Sequence, residues 1–401
     1  MKDKAVIFVT SSDFFKPRAS HFRLLAIARG LIENGVDVYW ILLASEPTKE
    51  ILTDAHYKKI VFITLGKHFK KYRWNKYLFY LYRFHQIPRL NNIIHNIIDI
   101  YKELICYSYS YDFLFHYFLA KICKKNNIMI YNEMTEYPKL IDEDINFITK
   151  SILKLRSYVY FKYFVPNVDH IFVISKALKQ FFETYLENYN KKICVSLLNM
   201  IVEPDRYECN LINTDSQFKE IVYVGTMYGD KDGVYYLMEA YIKIYKDYPD
   251  SRLILVGANT RVSQMQKINN ILSKISDSDS DRIIFTGQLD RKSVIEKLNS
   301  AYCLALARPN NIQAKYGFPT KLGEYLSTGK PVVVTSVGEI PLYLKDGENA
   351  YIAKPDDVDS FADKLRECLN DPIKASYIGQ KGKELVYKEF NYLEVTKNII
   401  Y

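Results

Sequence analysis

At 401 residues, 48% of them hydrophobic and 25% charged, the chain has the composition of a globular protein and exceeds one ordinary core, so two domains of about 200 residues are expected. The net charge of +9 is concentrated: no acidic residue occurs between Asp54 and Asp99, and that stretch holds nine lysines and arginines, from Lys58 to Arg89. No run of 18 apolar residues exists, which excludes a spanning helix, and six cysteines without a CxxC pair or regular spacing read as reduced core thiols of a cytosolic protein.

Met1 to Lys4 precede only six apolar or small residues, Ala5 to Thr10, a first β-strand too short for the apolar region of a signal peptide. A helix over 20–35 follows, with Gly35 where a C-cap belongs, and then the strand VDVYWILLA, so the chain opens as a βαβ unit. Short apolar strands at 60–64, 128–131 and 170–174 alternate with helical stretches such as 112–125. A second series begins after the turn-rich 199–214, with strands at 221–225, 252–257, 282–287, 303–307 and 332–335 and helices at 234–248, 261–276, 291–300 and 358–369. The alternation implies an α/β protein of two doubly wound domains, over 1–205 and 206–385, with a C-terminal helix in 386–401 packing back toward the first. Ligands of such sheets bind beyond the strand C-termini, where Gly225, Gly257 and Gly287 fall.

The stretch YGFPTKLGEYLSTGKPVV, from Tyr316 to Val333, places a carboxylate, a lysine and two tight turns around one helix start, the parts a sugar nucleotide needs. Thr320 is positioned to cap the helix, Pro319 fixes the chain ahead of it, and Gly329-Lys330-Pro331 ends it before an apolar strand. Glu324, one turn in, can accept hydrogen bonds from two adjacent ribose hydroxyls, while Lys321 and the free amides of the first turn face phosphate oxygens. An isolated segment of this kind fits equally well a helix whose Glu324 merely complements the dipole and whose Lys321 is solvated.

Further segments fit a wider pattern. VDHIFVISKALKQFF (168–182), LNMIVEPDRY (198–207), RIIFTGQLDRKSVIEKLNSAYCLALA (282–307) and VGEIPLYLKDGENAYIAKPDD (337–357), together with the Tyr316–Val333 stretch, resemble in order the motifs of retaining glycosyltransferases of family 4. That resemblance covers nearly the whole chain and implies the GT-B fold, two Rossmann-like domains facing each other across a cleft. It also implies transfer of a sugar, with retention, from a nucleotide-activated donor held mainly by the C-terminal domain to a hydroxyl acceptor. Glu324 then matches the family's ribose-gripping glutamate, Lys321 and Lys231 its diphosphate ligands, and Gly225 the point of close backbone approach to the β-phosphate. The rest of the expected donor site is Thr226, Arg308, Tyr316, Gly317, Phe318, Pro319, Thr320 and Leu322.

Three positions depart from the family's pattern. Tyr316 stands where its first glutamate belongs, Thr226 replaces an arginine, and Asp232 replaces a lysine, with Lys231 one place off; Arg308, just past a strand end, is the expected substitute cation. In the N-terminal domain the usual glycine-rich loop is replaced by SSDFFKPRASHFR (11–23). The acceptor-side residues expected there are Ser12, His21, Arg23 and Glu133, and Glu136, at the end of the strand IMIYNEM, is the polar group expected beside the acceptor. Lys321 and Glu136 are the catalytic candidates; His116 reads as structural.

Negative charge that builds on a departing diphosphate can be stabilised by cations and helix N-termini without a metal, and no cofactor is expected. The acidic run SDSDSD (276–281) reads as a solvated loop at the N-terminal edge of a sheet, away from the expected cleft. HFKKYRWNKYLFYLYRFH (68–85) and FITKSILKLRSYVYFKYF (147–164) interleave cations with aromatics, a composition suited to an anionic headgroup surface. The expectation is therefore a cytoplasmic enzyme, peripheral on the inner face of the cell membrane through 67–89 and 147–164, acting on a lipid-linked or surface-polysaccharide glycan and binding no nucleic acid. A sugar-nucleotide 2-epimerase and an inactive donor-binding partner share the fold and remain alternatives.

Overall fold

A computed structural model describes the chain except residues 1, 11–18, 44, 66–75, 110–112, 139–146, 188, 190–191, 209–216, 228–230, 259–261 and 401. The chain divides into two compact units, Met1–Asn199 with Tyr392–Tyr401, and Met200–Asn391.

The first unit is built on a parallel sheet of seven strands: β1 (Lys2–Thr10), β2 (Asp37–Leu42), β3 (Val61–Thr64), β4 (Tyr101–Tyr109), β5 (Met129–Met134), β6 (His170–Val173) and β7 (Cys194–Leu197). Their spatial order is β3-β2-β1-β4-β5-β6-β7. Burial is deepest in the middle of the sheet: Ala5 to Phe8 of β1 form a fully buried apolar run, whereas Val61 on the edge strand β3 is 47% exposed. Trp40 is fully buried and stacked on Phe62, and its indole N–H donates to Thr10 Oγ1 at 2.9 Å. The helix Ala19–Glu33 packs against the C-terminal helix Tyr392–Ile400, held there by Asn34 Nδ2 donating to Leu393 O at 3.0 Å and Tyr392 Oη donating to Glu33 at 2.8 Å.

The second unit has a six-stranded parallel sheet: β8 (Lys219–Val224), β9 (Ser251–Val256), β10 (Ile283–Gly287), β11 (Cys303–Leu306), β12 (Val332–Thr335) and β13 (Tyr351–Ala353). The order is β10-β9-β8-β11-β12-β13, with Leu304 opposite Val222 and Val332. All four residues of β11 are fully buried, as a central strand requires.

The structure departs from the sequence reading in particular elements. β4, β7 and β13 were not expected as strands, yet β4 is central, between β1 and β5. The helix at Val234 stops at Ile242 and is continued by turns. The SDSDSD run folds as a 3-10 turn, Asp277–Arg282, with Asp281 paired to Arg252 at 2.5 Å. The 147–159 helix runs into a π turn, Tyr160–Phe164, with Tyr160, Phe161 and Phe164 buried. Its other face exposes Lys154, Leu155, Tyr158, Lys162 and Tyr163. Residues 67–75 of the basic aromatic segment lie outside the described residues; from Lys76 the chain is helical to Ile98.

Candidate functional site

The site expected in the second unit falls where the strand order reverses. The chain builds outward from β8 to β10 on one side and from β11 to β13 on the other, so a crevice opens beyond the C-termini of β8 and β11. Gly225 follows β8, and Arg308 lies just beyond β11. A Cβ at Gly225 would collide with Lys321 Nζ and the Tyr223 hydroxyl, so only glycine lets the strand end and the lysine approach this closely. Gly233 sits at φ +68°, where any Cβ would strike the Ala307 carbonyl, and it begins the helix Val234–Ile242 without a side-chain cap. That helix therefore starts beside the end of β11.

Between these elements lies a carboxylate. Asp232 is 8% exposed and takes the Lys321 ammonium on Oδ2, while Tyr223 Oη donates to it at 3.4 Å and Arg308 Nε lies 3.8 Å from Oδ1. Arg308, 3% exposed, also donates to the Lys231 carbonyl at 3.2 Å. Burial pushes the Asp232 carboxyl up, but Lys321 and Arg308 outweigh it and hold the group below the usual carboxylate range. The Tyr223 phenol is pushed well up by burial, and further by Asp232. The sequence reading treated Asp232 only as a lost cation; in the structure it is the counter-ion of two cations. The side chain of Lys231 is exposed, as is Thr226, whose carbonyl accepts from Tyr223 Oη at 3.0 Å.

The helix Thr320–Ser327 supplies the second half. Leu322, Tyr325 and Leu326 form its buried face, and Tyr325 Oη accepts from the Val224 amide at 2.7 Å, which ties the helix to the end of β8. Lys321 and Glu324, three residues apart, share the opposite face. The cap differs from expectation: Pro319 occupies the N-cap and Thr320 is the first helical residue, with no side-chain cap bond, so the first-turn amides are not consumed by one. Phe318 is 5% exposed, stacked on Tyr343 with ring centroids 5.5 Å apart, and so is a core residue. Tyr316 ends the short helix Ile312–Tyr316, with Gly317 as its C-cap.

Glu324 has a charged partner. Arg291 Nη1 donates to its Oε1 at 3.0 Å, and Arg291 Nη2 donates to Tyr207 Oη at 2.5 Å. Neither Arg291 nor Tyr207 was anticipated. Arg291 opens a helix and Tyr207 ends the 3-10 turn Pro204–Tyr207, positions far apart in sequence and without a motif to join them.

In the first unit, Ser12 lies outside the described residues. Arg23 and Glu133 are brought together but buried, at 2% and 1% exposure. Arg23 Nε donates to Glu133 Oε1 at 2.5 Å, its Nη1 to Asn199 O at 2.6 Å and its Nη2 to Leu198 O at 2.7 Å. Tyr107 Oη donates to Glu133 Oε2 at 2.8 Å. His21 is also buried, at 2%. His116 packs edge-on against Phe164 in the core, with ring centroids 4.8 Å apart. Glu136 is exposed, just past the C-terminus of β5.

Residues 218–371, which include this crevice, match the family model described as "Glycosyl transferases group 1". It is 27% identical over 155 residues to an N-acetyl-alpha-D-glucosaminyl L-malate synthase of Bacillus anthracis, a match covering 38% of this chain and 37% of that one. It is 25% identical over 314 residues to an uncharacterised glycosyltransferase of Methanocaldococcus jannaschii, covering 76% and 80%. Among solved structures, a sucrose-phosphate synthase from Thermosynechococcus elongatus superposes with a TM-score of 0.70 at 15% identity, over 99% of this chain and 97% of that one. Anabaena HepE, solved with UDP and glucose, superposes at 0.68 and 14% identity over 98% of each. Two doubly wound parallel sheets of seven and six strands are the GT-B fold.

Proposed function

We propose that the chain transfers a sugar from a nucleoside diphosphate sugar to a hydroxyl acceptor, with retention and without a metal. The observation that carries this is the crevice beyond β8 and β11: a glycine strand end, an uncapped helix start and the Lys321–Arg308 pair converge there, with Glu324 on the same helix face as Lys321. Such a set suits a ribose diphosphate: carboxylate to diol, cations and amides to phosphate oxygens. Lys321, Arg308 and the helix at Val234 would stabilise charge on the departing β-phosphate as its bond to the sugar lengthens. In this reading the acceptor hydroxyl oxygen bonds to the anomeric carbon from the face that the diphosphate leaves and gives its proton to the departing phosphate, and Glu136 is the polar group proposed beside the acceptor.

Titration calorimetry with UDP, GDP and ADP tests the donor half. At least one should bind equally well with and without EDTA, and Glu324→Ala should weaken that ligand at least tenfold. Unchanged affinity in Glu324→Ala would remove the ribose assignment. Tyr316 in place of the family's first glutamate favours a second reading, a donor-binding protein without transferase activity; it predicts donor that stays intact with every acceptor tried.

The acceptor is proposed to be lipid-linked or a membrane-proximal glycan, approached at an anionic membrane. Among the described residues no helix is long and apolar enough to cross a membrane. The exposed Leu155, Tyr158 and Tyr163, at 56%, 54% and 43%, stand beside Lys154 and Lys162 on one surface of the first unit. Each lysine near anionic lipid contributes about 1 kcal/mol. Lys154→Glu with Lys162→Glu should therefore lower co-sedimentation with phosphatidylglycerol vesicles at least tenfold. Wild-type protein that stays in the supernatant would end the membrane reading.

A further inference from the structure

Arg291 is misplaced for helix stability alone. It is the first residue of the helix Arg291–Ser300, whose N-cap Asp290 already accepts from the Ser293 amide at 2.8 Å. A cation in the first turn opposes the helix dipole, which favours negative charge at that end. Its guanidinium nevertheless reaches two other segments of the same unit. Nη1 holds Glu324 Oε1 at 3.0 Å and Nη2 holds the buried Tyr207 Oη at 2.5 Å, with the Arg291 and Glu324 side chains only 13% and 18% exposed.

We propose that Arg291 is a positioning residue that aims the Glu324 carboxylate at the ribose diol, with Tyr207 as its anchor. This rests on the reading of Glu324 as the ribose ligand. Glutamate alone has freely rotating torsions, and a carboxylate offers about four acceptor positions. Arg291 occupies one of them and the Tyr207 hydroxyl, which also hydrogen-bonds Glu324, another, so the rotamer is fixed from two sides and the remaining acceptor positions serve the 2′- and 3′-hydroxyls. Tyr207 prevents the guanidinium from following Glu324 when that side chain moves, because both terminal nitrogens are committed to different segments. The preference for a ribose over a 2′-deoxyribose nucleotide thus depends on a residue that touches neither sugar nor phosphate.

Calorimetry with whichever of UDP, GDP or ADP binds tightest, its 2′-deoxy counterpart, and inorganic pyrophosphate tests this. Wild type should prefer the ribonucleotide at least tenfold. Arg291→Ala should reduce that preference to threefold or less while leaving pyrophosphate affinity within twofold, and Arg291→Lys should retain most of it. Arg291→Ala added to Glu324→Ala should change nothing further, because the arginine acts through the glutamate. Full preference retained in Arg291→Ala, or equal weakening of all three ligands, would overturn the inference and leave the arginine a structural role. If wild type shows no preference, or Glu324→Ala keeps it, the ribose reading itself fails, and the inference with it.

Discussion

Lys321→Ala is expected to weaken binding of the nucleoside diphosphate about a hundredfold. A charge-assisted hydrogen bond is worth roughly 1.5–3 kcal/mol, and the upper end applies because the loss is double. The ammonium that lies against Gly225 disappears, and the Asp232 carboxylate it neutralised is left facing the incoming phosphates with Arg308 as its remaining close cation. Removing that carboxylate too should reverse part of the damage: Lys321→Ala with Asp232→Asn is expected to bind about tenfold tighter than Lys321→Ala. Asp232→Asn alone should bind inorganic pyrophosphate more tightly than wild type. Calorimetry decides all three, and unchanged affinity in Lys321→Ala would take the lysine out of the site. The same carboxylate has a signature in stability. Its folded-state pKa is depressed, so its contribution is fully present above the unfolded value of about 3.9 and is lost as pH falls through the lower folded value. Wild type should thus lose stability more steeply than Asp232→Asn below about pH 4, measured by denaturant unfolding at a series of pH values.

Which parts of this could be read from the sequence follows from how each part is encoded. β8, β9, β11 and β12 each contain an unbroken apolar run, 221–224, 253–256, 303–306 and 332–334, which ends at a small or turn residue. β4 is as central as β8, but YKELICYSY interleaves lysine, glutamate, serine and tyrosine, and only Leu104, Ile105 and Cys106 form an apolar run in it; the rest of its burial comes from Tyr101, Tyr107 and Ser108, which hydropathy does not flag. β13 is three residues long, too short for any period to appear. Within the site, Glu324 and Lys321 were legible because their helix start carries its own punctuation in Pro319 and Gly329. Tyr223 was hidden inside a strand, where its ring reads as core and its hydroxyl goes unnoticed. The roles of Asp232 and Arg291 are set by partners 89 and 33 residues away, which no local pattern encodes. The same blindness affected Arg23 and Glu133, whose charges suggested a wet surface until their mutual burial was visible.

Arg23→Ala is expected to destabilise the first unit by about 3–5 kcal/mol, the cost of leaving one partner of a buried ion pair uncompensated. Glu133 would keep only the Tyr107 hydroxyl, and the carbonyls of Leu198 and Asn199 would lose their donors at the point where the first unit ends. Trp40 is fully buried in the first unit and the sequence of the second, 200–391, contains no tryptophan, so tryptophan fluorescence reports the first unit's unfolding separately from that of the second. With a urea slope of about 1–3 kcal/mol per molar, the midpoint of that transition should fall by more than 1 M. Arg23→Met combined with Glu133→Leu should recover part of the loss, since it removes both charges, yet not all of it, because the tyrosine hydroxyl and two carbonyls stay unpaired. Acceptor-binding groups would behave otherwise. If Arg23 and Glu133 contact acceptor rather than each other, their substitution raises the acceptor KM and leaves the fluorescence midpoint where it was. A buried pair in which all three guanidinium nitrogens already donate inside the unit predicts the opposite order of effects: stability first, and acceptor affinity only through what that stability supports.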